Sequence, residues 1–207
     1  VRLFLSSYRF GTDPGLLLGV TRGPCPIAVI ANAADAWPSR ARDSAVASEL
    51  APLRALGYEP TEVDLRDHAG APDGLRAALS PFGALWVRGG NTFVLRARLA
   101  LCGGDEILTD LVRSGGLAYA GYSAGACLVT PSLRGLEFSD DPGEVDAVCG
   151  VPARWDGLGW VDYAIVPHAG DSPLADAGVA RTLDFLTRER LPFRALGDDE
   201  VIVVDES

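Results

Sequence analysis

Short runs suited to β-strands recur along the chain, at residues 2–6, 27–31, 61–65, 84–87 and 117–120. Between most of them lie stretches in which Ala, Leu and Val return at helical spacing among Arg and Glu, at residues 39–57, 73–79, 93–100 and 104–114. Parallel strands need long crossover connections, and helices supply them. The alternation therefore predicts an α/β fold, a mostly parallel sheet with helices on both faces. Residues 163–166, 193–196 and 201–204 read as three more strands, with a long helix over 174–190. The chain of 207 residues is expected to form a single domain over 1–207, without repeats or linkers.

One of these runs ends in Gly121-Tyr122-Ser123-Ala124-Gly125, followed by a helical stretch. This is the G-x-S-x-G pattern of a strand-to-helix elbow, which lifts a serine out of a sheet. With 24 glycines in the chain, chance supplies the pattern in roughly one such sequence in six, so the surrounding residues must decide. Two other strand ends carry suitable groups. Residues 84–87 run into Arg88-Gly89-Gly90-Asn91-Thr92, a loop whose N–H groups can face a ligand while Asn91 or Thr92 caps the next helix. Residues 163–166 run into Pro167-His168. Parallel strands present their carboxyl ends to one edge, where ligands bind, so the three loops converge.

A serine hydroxyl needs a neighbouring base, and the chain has two histidines. His68 lies in a polar stretch and reads as a surface residue. His168, at a strand end, is the base expected to take the Ser123 proton and return it to a leaving amine. Ala124, after the nucleophile, offers one oxyanion N–H, and Gly90 or Gly89 the other. For the carboxylate that orients the imidazole, Glu137, Asp140 and Asp141 lie between Ser123 and His168, and Asp171 follows the histidine closely. The first three belong to an acidic and Gly/Pro-rich region, residues 135–159, that reads as loops over the active face.

The chain contains no lysine, which excludes Schiff-base chemistry, a Ser-Lys dyad and a phosphate-loop lysine. Cys25, Cys102, Cys127 and Cys149 are widely spaced and form no C-x-x-C pair, so neither a metal nor any other cofactor is expected, and the thiols read as reduced and buried. The net charge of −10 opposes nucleic acid and anionic membranes as partners. Without a secretory signal pattern or an apolar run near the ~18 residues that span a bilayer, a cytoplasmic protein is expected.

Trp86-Val87-Arg88-Gly89-Gly90-Asn91-Thr92-Phe93, then Tyr119-Ala120-Gly121-Tyr122-Ser123-Ala124-Gly125-Ala126, then Val166-Pro167-His168 together resemble the peptidase E family of serine dipeptidases. The resemblance spans nearly the whole chain. It implies a class I glutamine amidotransferase-like sheet, Ser123 as nucleophile, His168 as base, and Gly89, Gly90, Asn91 and Ala124 around the oxyanion and substrate. The substrate it implies is a short peptide, with N-terminal aspartate in peptidase E proper. Arg88 and Arg181 are the guanidinium candidates for that carboxylate. A monomer or homodimer is expected.

Departures from the family pattern are specific. Arg88 replaces the first of three glycines before Asn-Thr, Ala169 stands where an aromatic often follows Pro-His, and the chain ends sooner than expected. The spacing of the family's triad aspartate lands near Phe138, so Glu137 or Asp140 must substitute, and Glu137 is preferred because relatives can use glutamate. The resemblance leaves two alternatives: a cyanophycinase-like hydrolase of β-Asp-Arg units, and a non-catalytic binding domain that kept the fold but lost the acid.

Overall fold

Side chains on a strand alternate between faces, so a short apolar run buries both of its faces only if helices cover the sheet on each side. The computed structural model, which describes residues 1–206, has this arrangement. The chain begins with β1 (Arg2–Ser6) and α1 (Gly15–Thr21), then runs through β2 (Pro26–Ile30), α2 (Ser39–Ala55), β3 (Glu59–Glu62), α3 (Pro72–Leu79) and β4 (Ala84–Val87). Next come α4 (Thr92–Leu101), α5 (Gly104–Arg113), β5 (Ala118–Tyr122) and the short α6 (Ala124–Cys127). The last third holds α7 (Glu144–Cys149), β6 (Ala164–Val166), α8 (Ala177–Arg188), β7 (Phe193–Ala195) and β8 (Val201–Asp205).

Six strands pair in the order β3-β2-β4-β5-β1-β8, all parallel except β8, which runs antiparallel to β1 at one edge. On one face, Phe4, Ile27, Val29 and Trp86 pack with Leu17 of α1 and Leu53 of α2. On the other, Leu5, Ala28, Ile30 and Val87 pack with Leu75 of α3, Leu99 of α4 and Leu108 of α5. No helix among the described residues is long and apolar enough to cross a membrane.

Three expectations change. The third strand is Glu59–Glu62 rather than 61–65. Pro60 is tolerated because β3 is an edge strand. Asp64 ends the strand by accepting the Arg66 N–H and capping a 3-10 turn. The strand leading to His168 does not join the main sheet, because β6 and β7 form a separate parallel pair. β6 is nevertheless held close to the elbow, where the Cys127 thiol on α6 donates to the Ile165 carbonyl at 3.4 Å. Within the acidic region, residues Leu136–Phe138 make a 3-10 turn and α7 forms, so the segment is more ordered than a run of loops.

Candidate active site

The elbow is built by close backbone approach. A Cβ on Gly121 would lie 2.6 Å from the Gly125 carbonyl oxygen, and one on Gly125 would lie 2.2 Å from that of Val87. Only glycine permits the chain to turn there. A Cβ at Gly89 would lie 2.9 Å from that of Ser123, which explains why the neighbouring loop also has glycine at that position. Ser123 itself has φ 50° and ψ −115°, a strained conformation for a non-glycine residue. Its N–H donates to the Ser6 carbonyl (3.1 Å), and its own carbonyl accepts from Ala126 and Cys127 (2.9 Å each), so the strain is held from both sides.

His168 also has a positive φ, 59°. Its Nε2 lies 3.1 Å from Ser123 Oγ and its Nδ1 lies 2.6 Å from Asp198 Oδ1. A carboxylate can only accept, so Nδ1 carries the proton in the neutral ring and Nε2 is left to accept from the serine. Asp198 is further held by the hydroxyls of Ser7 (3.1 Å to Oδ1) and Ser172 (to Oδ2). Burial raises the Asp198 carboxyl, but the hydrogen bonds from Ser172, His168 and Ser7, with the field of His168, outweigh it and hold the group below the usual carboxylate range.

The structure corrects the expected position of the acid. Glu137 turns back on its own 3-10 turn and accepts from the Gly135 N–H. Asp140 accepts from Thr92 N at 2.9 Å, at the start of α4, and Asp141 accepts from Gly143 N at 2.8 Å within its own turn. None of the three bonds the imidazole. Asp198 lies 30 residues beyond His168 in sequence, and no local pattern marks it as the partner of that ring. Its signal lies in the pairing of Val166 with Ala195, which places His168 and residues 197–198 at matching distances beyond two neighbouring strand ends.

Asn91 caps α4, accepting from Phe93 N (2.9 Å) and Val94 N (3.2 Å), and donates to the Asp141 carbonyl and Glu144 Oε2, both at 2.8 Å. Gly90, at φ 144°, packs against Ala33, where a Cβ would lie 2.4 Å from the carbonyl oxygen. Ala124 N–H opens α6, where no intrahelical carbonyl is available to it. Arg181 stacks on Phe138 with its guanidinium carbon 4.3 Å from the ring centroid, and it lines neither side of the Ser123 cleft.

Arg88 does line the cleft, with Arg9, Trp37 and Tyr122. Its Nε donates to buried Glu49 at 3.3 Å, and Glu49 also accepts from Trp86 Nε1 (2.9 Å) and the Tyr122 hydroxyl (2.8 Å). Arg88 Nη1 is buried with no hydrogen-bond partner among the described residues, a cost of about 1–3 kcal/mol. The Trp37 ring lies against this guanidinium, 4.9 Å from its carbon. The opposite side of the cleft is acidic, lined by Asp140, Asp141, Glu144 and Asp176. Between Ser123, Cys127 and Thr182 lies a cavity of about 60 Å³. Cys127 forms part of its wall but is buried, and burial pushes its thiol up, as it pushes Cys102 up to about 11. Cys25 and Cys149 are half-buried free thiols, less enclosed than expected.

A serine raised at the carboxyl edge of a mostly parallel α/β sheet, against a histidine and an aspartate, is an arrangement of the hydrolase type. The chain belongs to peptidase family S51, whose model matches residues 32–207, and is by that membership a peptidase. An uncharacterised peptidase of Listeria innocua is 27% identical over 152 residues, 73% of this chain and 68% of the relative. A peptidase E of Streptomyces coelicolor is 32% identical over 134 residues, 62% of this chain and 51% of that protein. The crystal structure of a candidate peptidase E protein from Listeria monocytogenes EGD-e matches with a TM-score of 0.73 and 23% identity, covering 100% of this chain and 98% of that one. That likeness establishes the shared α/β fold.

Proposed function

We propose that this protein is a serine-type exopeptidase that hydrolyses short peptides, dipeptides with N-terminal aspartate among them, through an acyl-enzyme on Ser123. The observation that carries the reading is the unbroken array from Ser123 Oγ to His168 Nε2 and from His168 Nδ1 to Asp198 Oδ1, at 3.1 and 2.6 Å. His168 takes the Ser123 proton as Oγ attacks the scissile carbonyl carbon. The oxyanion is met by the N–H groups of Ala124 and Gly90. Collapse breaks the C–N bond, and the amine leaves with the proton from Nε2. Water then gives its proton to Nε2, attacks the ester and releases the acid, restoring Ser123. Asp198 holds the ring in one tautomer and balances the imidazolium.

The charge pattern of the cleft supports a substrate with both signs. The acidic wall of Asp140, Asp141, Glu144 and Asp176 suits a free α-ammonium, and Arg88 with Arg9, lining the other side of the cleft, suits a carboxylate. The aspartate preference follows the resemblance to peptidase E, and Arg88 rather than Arg181 is the guanidinium given to it, since Arg88 lines the cleft and Arg181 stacks on Phe138. A binding domain without catalysis was attractive only for want of a carboxylate beside His168, and Asp198 supplies one. The test is a panel of X-Leu dipeptides with wild type and Ser123→Ala. Turnover of Asp-Leu above Asn-Leu and Ala-Leu, lost in Ser123→Ala, is expected. Undiminished activity in the variant would reject the mechanism, and equal turnover of all first residues would reject the specificity.

A further inference from the structure

The end of β1 touches all three members of the Ser123–His168–Asp198 array, although it lies far from them in sequence. The Ser6 carbonyl accepts the Ser123 N–H at 3.1 Å. The next residue, Ser7, is fully buried, and its hydroxyl oxygen accepts the His168 backbone N–H at 2.7 Å while its proton goes to Asp198 Oδ1 at 3.1 Å. The Ser7 N–H also donates to the Glu200 carbonyl at 3.3 Å, tying β1 to the turn that carries Asp198. β1 belongs to the main sheet, whereas His168 and Asp198 stand on loops beyond the separate β6–β7 pair. Two sheets must therefore be held in register to within a hydrogen-bond length, and Ser7 is the side chain that bonds across the gap to both loops.

We propose that Ser7 is a positioning residue for catalysis. Its hydroxyl fixes the strained backbone of His168 and the carboxylate of Asp198 relative to the elbow, and it acts on the reaction only through them. Ser7 lies outside residues 32–207, the stretch that matches the family model. A hydroxyl is the group the site calls for, because one atom must accept from an N–H and donate to a carboxylate at once. Alanine does neither. It would leave the His168 N–H unpaired and Asp198 held only by Ser172 and the imidazole, without its tie to the main sheet. The inference rests on the serine-peptidase reading above.

A double-mutant cycle on the full chain tests it, using an Asp-Leu substrate and the variants Ser7→Ala, Asp198→Asn and both together. Ser7→Ala is expected to lower kcat roughly 10- to 100-fold, as outer hydrogen bonds that orient a reacting group commonly do, with KM changed less than about twofold. In the Asp198→Asn background the same substitution should cost clearly less, because one of the two groups it positions is already gone and only the bond to the His168 N–H remains to be lost. Ser7→Thr, which keeps the hydroxyl, should recover most of the loss. Equal, multiplicative losses in both backgrounds, or an unchanged kcat in Ser7→Ala, would overturn the proposal. If Ser7→Ala fails to fold, the comparison passes to Ser7→Cys, which keeps the size but bonds weakly. Wild-type kcat in that variant, or an equal loss in the Asp198→Asn background, would overturn the proposal, and a kcat loss that is smaller in the Asp198→Asn background would support it. Activity that survives Ser123→Ala intact would instead remove the underlying reading.

Discussion

Asp198 Oδ1 lies 2.6 Å from His168 Nδ1 because β6 and β7 run side by side, with Val166 paired to Ala195 and the Leu196 N–H donating to the Val166 carbonyl at 2.9 Å. Two strand ends brought level in this way place the residues just beyond them in contact. Replacing Asp198 by Asn leaves the shape but lets the ring adopt the wrong tautomer, and kcat should fall by about 10³- to 10⁴-fold. Glu137→Gln should stay within about threefold of wild type, since Glu137 bonds its own turn. Steady-state kinetics of the two variants distinguish the assignments, and a larger loss for Glu137→Gln would reverse them.

Arg88 lines the cleft, is tied to buried Glu49 and carries a buried, unpaired Nη1. Removing its charge would deprive buried Glu49 of its nearer cation, leaving Arg9 at 3.9 Å, and would cost stability as well as binding, so Arg88→Lys is the informative change. Lysine keeps the charge but cannot present two parallel N–H groups to a carboxylate. The preference for Asp-Leu over Asn-Leu should drop at least about tenfold in kcat/KM, and a preserved ratio would show that another group reads the carboxylate.

The elbow glycines are steric requirements. A Cβ on Gly125 meets the Val87 carbonyl oxygen at 2.2 Å, a contact that only backbone movement between α6 and β4 can relieve. Gly125→Ala should lose at least about 1–3 kcal/mol of stability. At Gly115 a Cβ would meet no atom within 4 Å, but the residue holds φ 75°, so Gly115→Ala should cost less, about 1 kcal/mol, from strain alone. Thermal melts of the two variants should rank in that order.

Acid should destabilise the fold in a predictable direction. Burial raises the Asp64 carboxyl, but hydrogen bonds from Arg66 and Asn32 with the charge of Arg42 more than reverse this and hold its pKa below the unfolded value. A depressed folded pKa means stability that is present above the unfolded pKa, near about 3.9, and lost as pH falls toward the folded one. Asp198 adds to the same trend. Asp140, raised chiefly by burial, opposes it, since acid relieves an ionised group that folding disfavours. Urea midpoints of wild type and Asp64→Asn should differ most at neutral pH, with the gap starting to close only as pH falls through about 4 and narrowing further toward the folded pKa. A gap independent of pH would contradict this.

Much of the site was written in the order of residues. Gly121-Tyr122-Ser123-Ala124-Gly125, the Gly89-Gly90-Asn91 loop and His168 could be read locally, because an elbow needs glycines where the backbone touches itself and a parallel sheet exposes its strand ends. The alternation of apolar runs and amphipathic stretches likewise determined an α/β sheet covered on both faces. What the sequence could not determine was which carboxylate meets His168. That depends on the pairing of β6 with β7, a register between two short strands with the whole of α8 between them, and on β6 leaving the main sheet. Ser7 was invisible for the same reason. A hydroxyl buried after the first strand has no local pattern, and only tertiary packing brings it within hydrogen-bond reach of both His168 and Asp198.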